Sequence, residues 1–190
     1  MDGTLTHAVH DFEVMRLELG LAPGAMILEV IAELPEDEAK VMDEKLFDME
    51  LKLAQQATPQ PGAAELLTQL KSSNRNIGIL TRNSEKLVEV TLGACGLLHF
   101  FNKEDLVGRE HCAPKPQPDG IFRLLEQWQV PAKDAVIVGD FRFDLEAGRA
   151  AKISTIHFDQ PDTNLWAEFS DFRVTQLNQL TLMVQAYDEN

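Results

Sequence analysis

Basic residues are scarce: the 190-residue chain carries 17 Lys and Arg against 31 Asp and Glu, a formal net charge of −14 at pH 7. Such a mean field repels nucleic acid and anionic membranes, while leaving room for a local basic pocket that holds one phosphate group. Long apolar runs are missing as well. None approaches the ~20 residues needed to cross a bilayer, and residues 1–6 lack the basic, apolar and small-residue succession of an export signal. Cysteine is nearly absent. Cys95 and Cys112 supply neither a disulfide framework nor a metal-knuckle spacing, so both are expected to be reduced thiols without a role. Together these absences describe a soluble, cytoplasmic protein that engages neither nucleic acid nor membrane. What is present is an ordinary 44% of hydrophobic residues, enough to fold and, at this length, to build one core plus a smaller lobe.

Residues 7–57 read as helices. Phe12, Met15 and Leu19 recur at helical spacing, Pro23-Gly24 separates a second helix over residues 26–33, and Pro35-Glu36-Asp37-Glu38 starts a third that carries Leu46, Met49 and Leu53. Pro59-Gln60-Pro61-Gly62 closes this small helical lobe as a stiff connector. After Gly62 the pattern changes, with amphipathic helices (63–72, 84–95, 118–128, 145–151 and 177–187) alternating with short apolar runs. Those runs are NIGIL (76–80), a short edge strand or turn at 105–108, AVIV (135–138), ISTIH (153–157) and 172–174. Strands separated by helices predict an α/β fold, a Rossmann-like parallel sheet with helices on both faces. The domains expected are therefore a core of residues 1–6 and 58–190 and a helical insert of residues 7–57.

In an open parallel sheet, ligands lie beyond the carboxyl ends of the strands, so the residues just after each apolar run are informative. Thr81-Arg82-Asn83 follows NIGIL, Gly139-Asp140 with Asp144 follows AVIV, Pro114-Lys115-Pro116 precedes the 118–128 helix, and Asp2-Gly3-Thr4 opens the chain. Each alone has a bland reading: a turn for Asp-Gly-Thr, a strand end for Thr81, an exposed loop lysine for Lys115, a helix cap for Asp140. In this order and between these elements, the four resemble the motifs of the haloacid dehalogenase superfamily of phosphohydrolases. The match spans nearly the whole chain. The helical insert is similar to the small cap of the phosphoglycolate-phosphatase-like branch, though shorter than in many members.

The resemblance implies a magnesium-dependent phosphatase acting on a small phosphorylated metabolite through a phosphoaspartate. Asp2 would be the acid that protonates the leaving oxygen and then, as carboxylate, activates water. Thr81, Arg82 and Asn83 would line the phosphate pocket, and Lys115 would supply compact positive charge. Asp140 would offer hard oxygen to Mg2+, with Asp144 completing or orienting the shell and the Asp2 carbonyl contributing. His7 and His10, near the hinge into the insert, are weighed as substrate contacts against solvated imidazoles. His157 reads as a satisfied structural imidazole, and Trp128, Trp166 and Phe143 as packing residues.

The family's nucleophile is the first Asp of its D-x-D loop, which falls immediately before Met1, and the strand that delivers it precedes it. Two expectations follow: either the natural protein starts upstream and Met1 is the x of that motif, which is favoured, or this chain is a catalytically inactive binding protein. A phosphomutase remains a further alternative. Asp2 speaks against dehalogenation, which needs no proton donor for an alcohol, and the helical insert speaks against a phosphoaspartate receiver. Nothing in the pattern selects a particular substrate or oligomeric state.

Overall fold

The computed structural model describes residues 1–188. Asp11 opens the first helix, α1 (Phe12–Glu18), by accepting hydrogen bonds from the backbone N–H groups of Glu13 and Val14, both at 3.1 Å. These are donors that a helix start otherwise leaves unpaired. After α2 (Ile27–Glu33), Pro35 leads into α3 (Glu36–Ala54), whose first turn holds Glu36, Asp37 and Glu38 against the positive end of the helix dipole. The three helices bury their own apolar stripe, formed by Met15, Leu19, Ile27, Ile31 and Leu46.

The remainder alternates as the apolar runs predict. Its order is α4 (Ala63–Ser72), β1 (Ile79–Leu80), α5 (Glu85–Ala94), β2 (Leu106–Val107), α6 (Asp119–Trp128), β3 (Val136–Gly139), α7 (Arg142–Ala151), β4 (Ser154–Phe158), β5 (Phe172–Val174) and α8 (Leu177–Asp188). Among the described residues the named strands pair in parallel: β1 with β2, and β3-β4-β5 in a second sheet. This is the α/β Rossmann-like architecture expected from the sequence. Residues from α4, α5 and α8 pack with those of β1, β2, β4 and β5 in the larger core, and residues from α6 and α7 form a second one with Ile153.

Two boundaries differ from the periodicity, each for a local reason. NIGIL pairs over only two residues. Among the described residues β1 has a neighbour along one edge alone, and the ladder exists only where β2 runs beside it. Helix α7 starts earlier than its apolar pattern, because the Asp144 carboxylate accepts the Phe141 N–H at 3.2 Å and satisfies a first-turn donor.

Ion pairs join α2 and α3 to the α/β part. The deepest is Arg109, on the loop after β2, whose guanidinium meets Glu50 of α3 at 3.0 Å and Asp43 at 3.3 Å. Burial pushes the Glu50 carboxyl up to about 7, against the pull of Arg109 and with reinforcement from Asp43 and Asp2. A carboxyl raised from 4.5 to about 7 on folding binds more proton in the folded state than in the unfolded one. Its stabilising contribution is complete below about pH 4.5 and is lost as the pH rises through about 7. The change amounts to about 3 kcal/mol. Urea unfolding across that pH interval should show the decline in the native chain and a correspondingly flatter profile for Glu50→Gln; an unchanged slope would locate the titration elsewhere.

Candidate active site

One buried side chain ties the ends of the two sheets together. Lys115 is 7% exposed; its ammonium donates to the Leu80 carbonyl oxygen at the end of β1, at 2.7 Å, and forms an ion pair with Asp144 in the first turn of α7. An ammonium this far from water is tolerable only with such partners. Asp144 is held in turn by the Phe141 N–H, so the lysine, the strand end and the start of α7 form one unit.

The residues after β1 reach the chain's first turn. The Thr81 N–H donates to the Val107 carbonyl at 3.0 Å, continuing the β1–β2 ladder, and its hydroxyl oxygen accepts the Asn83 N–H at 3.2 Å. The Asn83 amide donates to one Asp2 carboxylate oxygen at 2.7 Å, while the Thr6 hydroxyl donates to the other at 3.2 Å. Asp2 is thereby oriented by two donors. Next to it, the Thr4 hydroxyl donates to Asp140 at 2.7 Å. Gly3 lets the turn pass against that carboxylate: its φ is +77°, and a Cβ there would lie 2.1 Å from an Asp140 oxygen. Burial pushes the Asp140 carboxyl up; the Met1 ammonium opposes this, the Asp144 charge adds to it, and the Thr4 hydrogen bond opposes it.

Arg82 spans three parts of the molecule. It donates to the Lys115 carbonyl oxygen at 2.9 Å and to both carboxylate oxygens of Glu29 on α2 at 2.7 and 2.9 Å, and it lies 5.2 Å over the Phe143 ring. Asp2, Thr81, Arg82, Asn83, Lys115, Asp140 and Asp144 are thus linked into one neighbourhood.

Other residues behave differently. His7 is tied through its backbone N–H to the Thr58 carbonyl at 3.0 Å, and the His10 ring stacks on Phe12 at 5.5 Å. His157 is buried, but its Nδ1 lacks a hydrogen-bond partner among the described residues, so the satisfied imidazole expected from the sequence is not what the fold provides. Its ring lies 5.6 Å from Trp166, which meets Phe141 edge-on. Phe143 does more than pack, since it carries Arg82. Burial pushes the Cys95 and Cys112 thiols up, away from the reactive thiolate. Thr4, Glu29, Glu50 and Arg109 are contacts that sequence reasoning did not single out. Thr4 had a signal in its place within Asp-Gly-Thr, whereas nothing in the pattern couples Glu29 to Arg82.

The donor chemistry fits a hard cation in kind. Asp140 and Asp2 offer carboxylate and carbonyl oxygen, and the half-buried Asp140 carboxyl is raised by burial, a destabilisation of its charge that a cation relieves. The protein donors are few: among the described residues no three His, Cys, Asp or Glu side chains form a metal-holding group, and Asp144 is engaged by Lys115. A cation here would retain several waters, as magnesium commonly does.

Replacing Lys115 by Met should lower stability by about 3 to 5 kcal/mol, because Asp144 would be left buried and unpaired. The additional change Asp144→Asn should restore a substantial part of the loss. Urea unfolding of the two single variants and the double variant reads this coupling directly, and strict additivity would show that the pair carries none. Gly3→Ala should also be destabilising, by about 1 to 3 kcal/mol from its backbone conformation alone.

A family model described as haloacid dehalogenase-like hydrolase matches residues 15–158. An uncharacterized hydrolase of Saccharomyces cerevisiae is 30% identical over 82% of this chain and 73% of its own length. A phosphoglycolate phosphatase of Pseudomonas savastanoi is 27% identical over 82% of this chain and 66% of its own. Among solved structures, a hydrolase from Pseudomonas syringae superposes with a TM-score of 0.78 at 20% identity, covering 94% of this chain and 93% of that one, which speaks for the fold. With a family model matched across most of the chain and the motif residues gathered at the strand ends, the protein belongs to the haloacid dehalogenase-like hydrolase family.

Proposed function

We propose that the protein is a magnesium-dependent phosphatase for a small phosphorylated metabolite. The observation that carries this reading is the convergence of the carboxylate of Asp2, the hydroxyl of Thr81, the ammonium of Lys115 and the carboxylate of Asp140 at the carboxyl ends of β1 and β3. The relative named phosphoglycolate phosphatase supports the reaction class.

In this reading the Thr81 hydroxyl and the amide that follows it donate to phosphoryl oxygens, and Lys115 balances their charge. Lys115 holds its position through Leu80 and Asp144. A carboxylate nucleophile attacks phosphorus as the bond to the leaving oxygen breaks, and Asp2 gives that oxygen its proton. Asp2 then takes a proton from the water that opens the acyl phosphate, which frees the nucleophile as a carboxylate and returns Asp2 to its acid form. Magnesium, held by Asp140 and the Asp2 carbonyl with Asp144 alongside, would supply positive charge to the phosphoryl oxygens. Helices α1 to α3 act as a cap that keeps water from the site.

The test is release of inorganic phosphate from p-nitrophenyl phosphate and a panel of phosphorylated metabolites in the presence of magnesium. A chain extended upstream by an apolar strand ending in Asp should be active, chelation should abolish turnover, and Asp2→Asn should lower kcat by about 10² to 10⁴. No release from the extended chain with any compound of the panel would overturn the proposal.

A further inference from the structure

Arg82 has two fixed contacts and one exchangeable contact. Its hydrogen bond to the Lys115 carbonyl and its stacking over Phe143 both come from the α/β part, beside the proposed phosphoryl site. Its third contact is the carboxylate of Glu29 on α2, held by one terminal nitrogen. Arg109 offers a comparison. It pairs with Glu50, and those side chains are 13% and 9% exposed, whereas Arg82 and Glu29 are 20% and 47% exposed. Releasing Glu50 would strand a carboxylate away from water. Releasing Glu29 would not, because water already reaches it, and an ion pair of that kind is easily exchanged.

A guanidinium locked on two sides next to the phosphate lysine, with an exposed carboxylate on its third, is built to trade that carboxylate for another. We infer that Arg82 is a specificity-determining residue that receives the carboxylate of a small phosphorylated acid, and that Glu29 is a built-in competitor covering Arg82 while no such substrate is bound. This rests on the phosphatase reading above. A guanidinium nitrogen is a strong charge-assisted donor to a carboxylate, and Phe143 and the Lys115 carbonyl fix the direction in which the other terminal nitrogen points. Arg82 directly follows Thr81, so the carboxylate site adjoins the residue proposed to meet the phosphoryl group. Esters of neutral alcohols would leave Glu29 in place and gain nothing from Arg82.

Titration calorimetry with two non-hydrolysable ligands separates the possibilities. Phosphonopropionate and propylphosphonate share the phosphonate and the chain length and differ in a terminal carboxylate against a methyl group. In magnesium-containing buffer the native chain should bind phosphonopropionate more tightly by about tenfold. Glu29→Gln should widen that ratio by about a further threefold, because the competitor is gone. Arg82→Met should bring the two affinities together, and Arg82→Lys, which keeps the charge but not the planar group that bonds the Lys115 carbonyl and a carboxylate at once, should lose most of the preference. Comparable affinity of the native chain for both ligands, or a preference that survives in both Arg82 variants, would overturn the Arg82 assignment and leave the phosphatase reading intact. If neither ligand binds, the phosphoryl site itself is wrong and the inference falls with it.

Discussion

The buried ammonium of Lys115 is the tie on which the site's geometry depends. It bonds to the last carbonyl of β1 and to Asp144, which also completes the first turn of α7. A lone positive charge in that position would be costly, and so would a lone Asp144, so each fixes the other. The consequence is positional as well as energetic: the end of one sheet and the start of the helix after the other are held within one side chain's reach. Thr81 and Asp140, the residues following β1 and β3, inherit their proximity from that tie.

Around it the fold handles an excess of negative charge by local pairing. Asp2 is met by Asn83 and Thr6, Asp140 by Thr4, Glu29 by Arg82, and Glu50 by Arg109. The neutral donors orient carboxylates without cancelling their charge, as the roles proposed for Asp2 and Asp140 require. The arginines cancel it, and both do so where α2 and α3 meet the α/β part. The attachment of the helical segment is therefore partly ionic, with one pair shielded from water and the other open to it.

Much of this was legible in the residues. Polar clusters after apolar runs marked the strand ends, because the apolar run stops where the sheet ends; Pro35 and the acids after it marked the start of α3; the alternation of strand and helix gave the parallel fold. The boundaries that slipped did so for reasons outside local pattern. NIGIL has the composition of a longer strand, but its length depends on which edges find partners. The start of α7 depends on the Asp144 carboxylate accepting a backbone donor, which an apolar period does not register. His157 looked satisfied by residue type, and its orphaned Nδ1 emerges only from the surroundings of β4.

By itself the sequence determined the types of group available and the element each belongs to, since hydrophobic period, turn chemistry and capping act over a few neighbouring residues. It determined the family through the order of its four motifs. Tertiary structure alone decided which charges meet: Arg82 with Glu29, Arg109 with Glu50, Lys115 with both Leu80 and Asp144. Pairings of that kind join residues far apart in the chain, and Coulombic attraction and desolvation depend on distance and burial in space, quantities that have no local signature along the sequence.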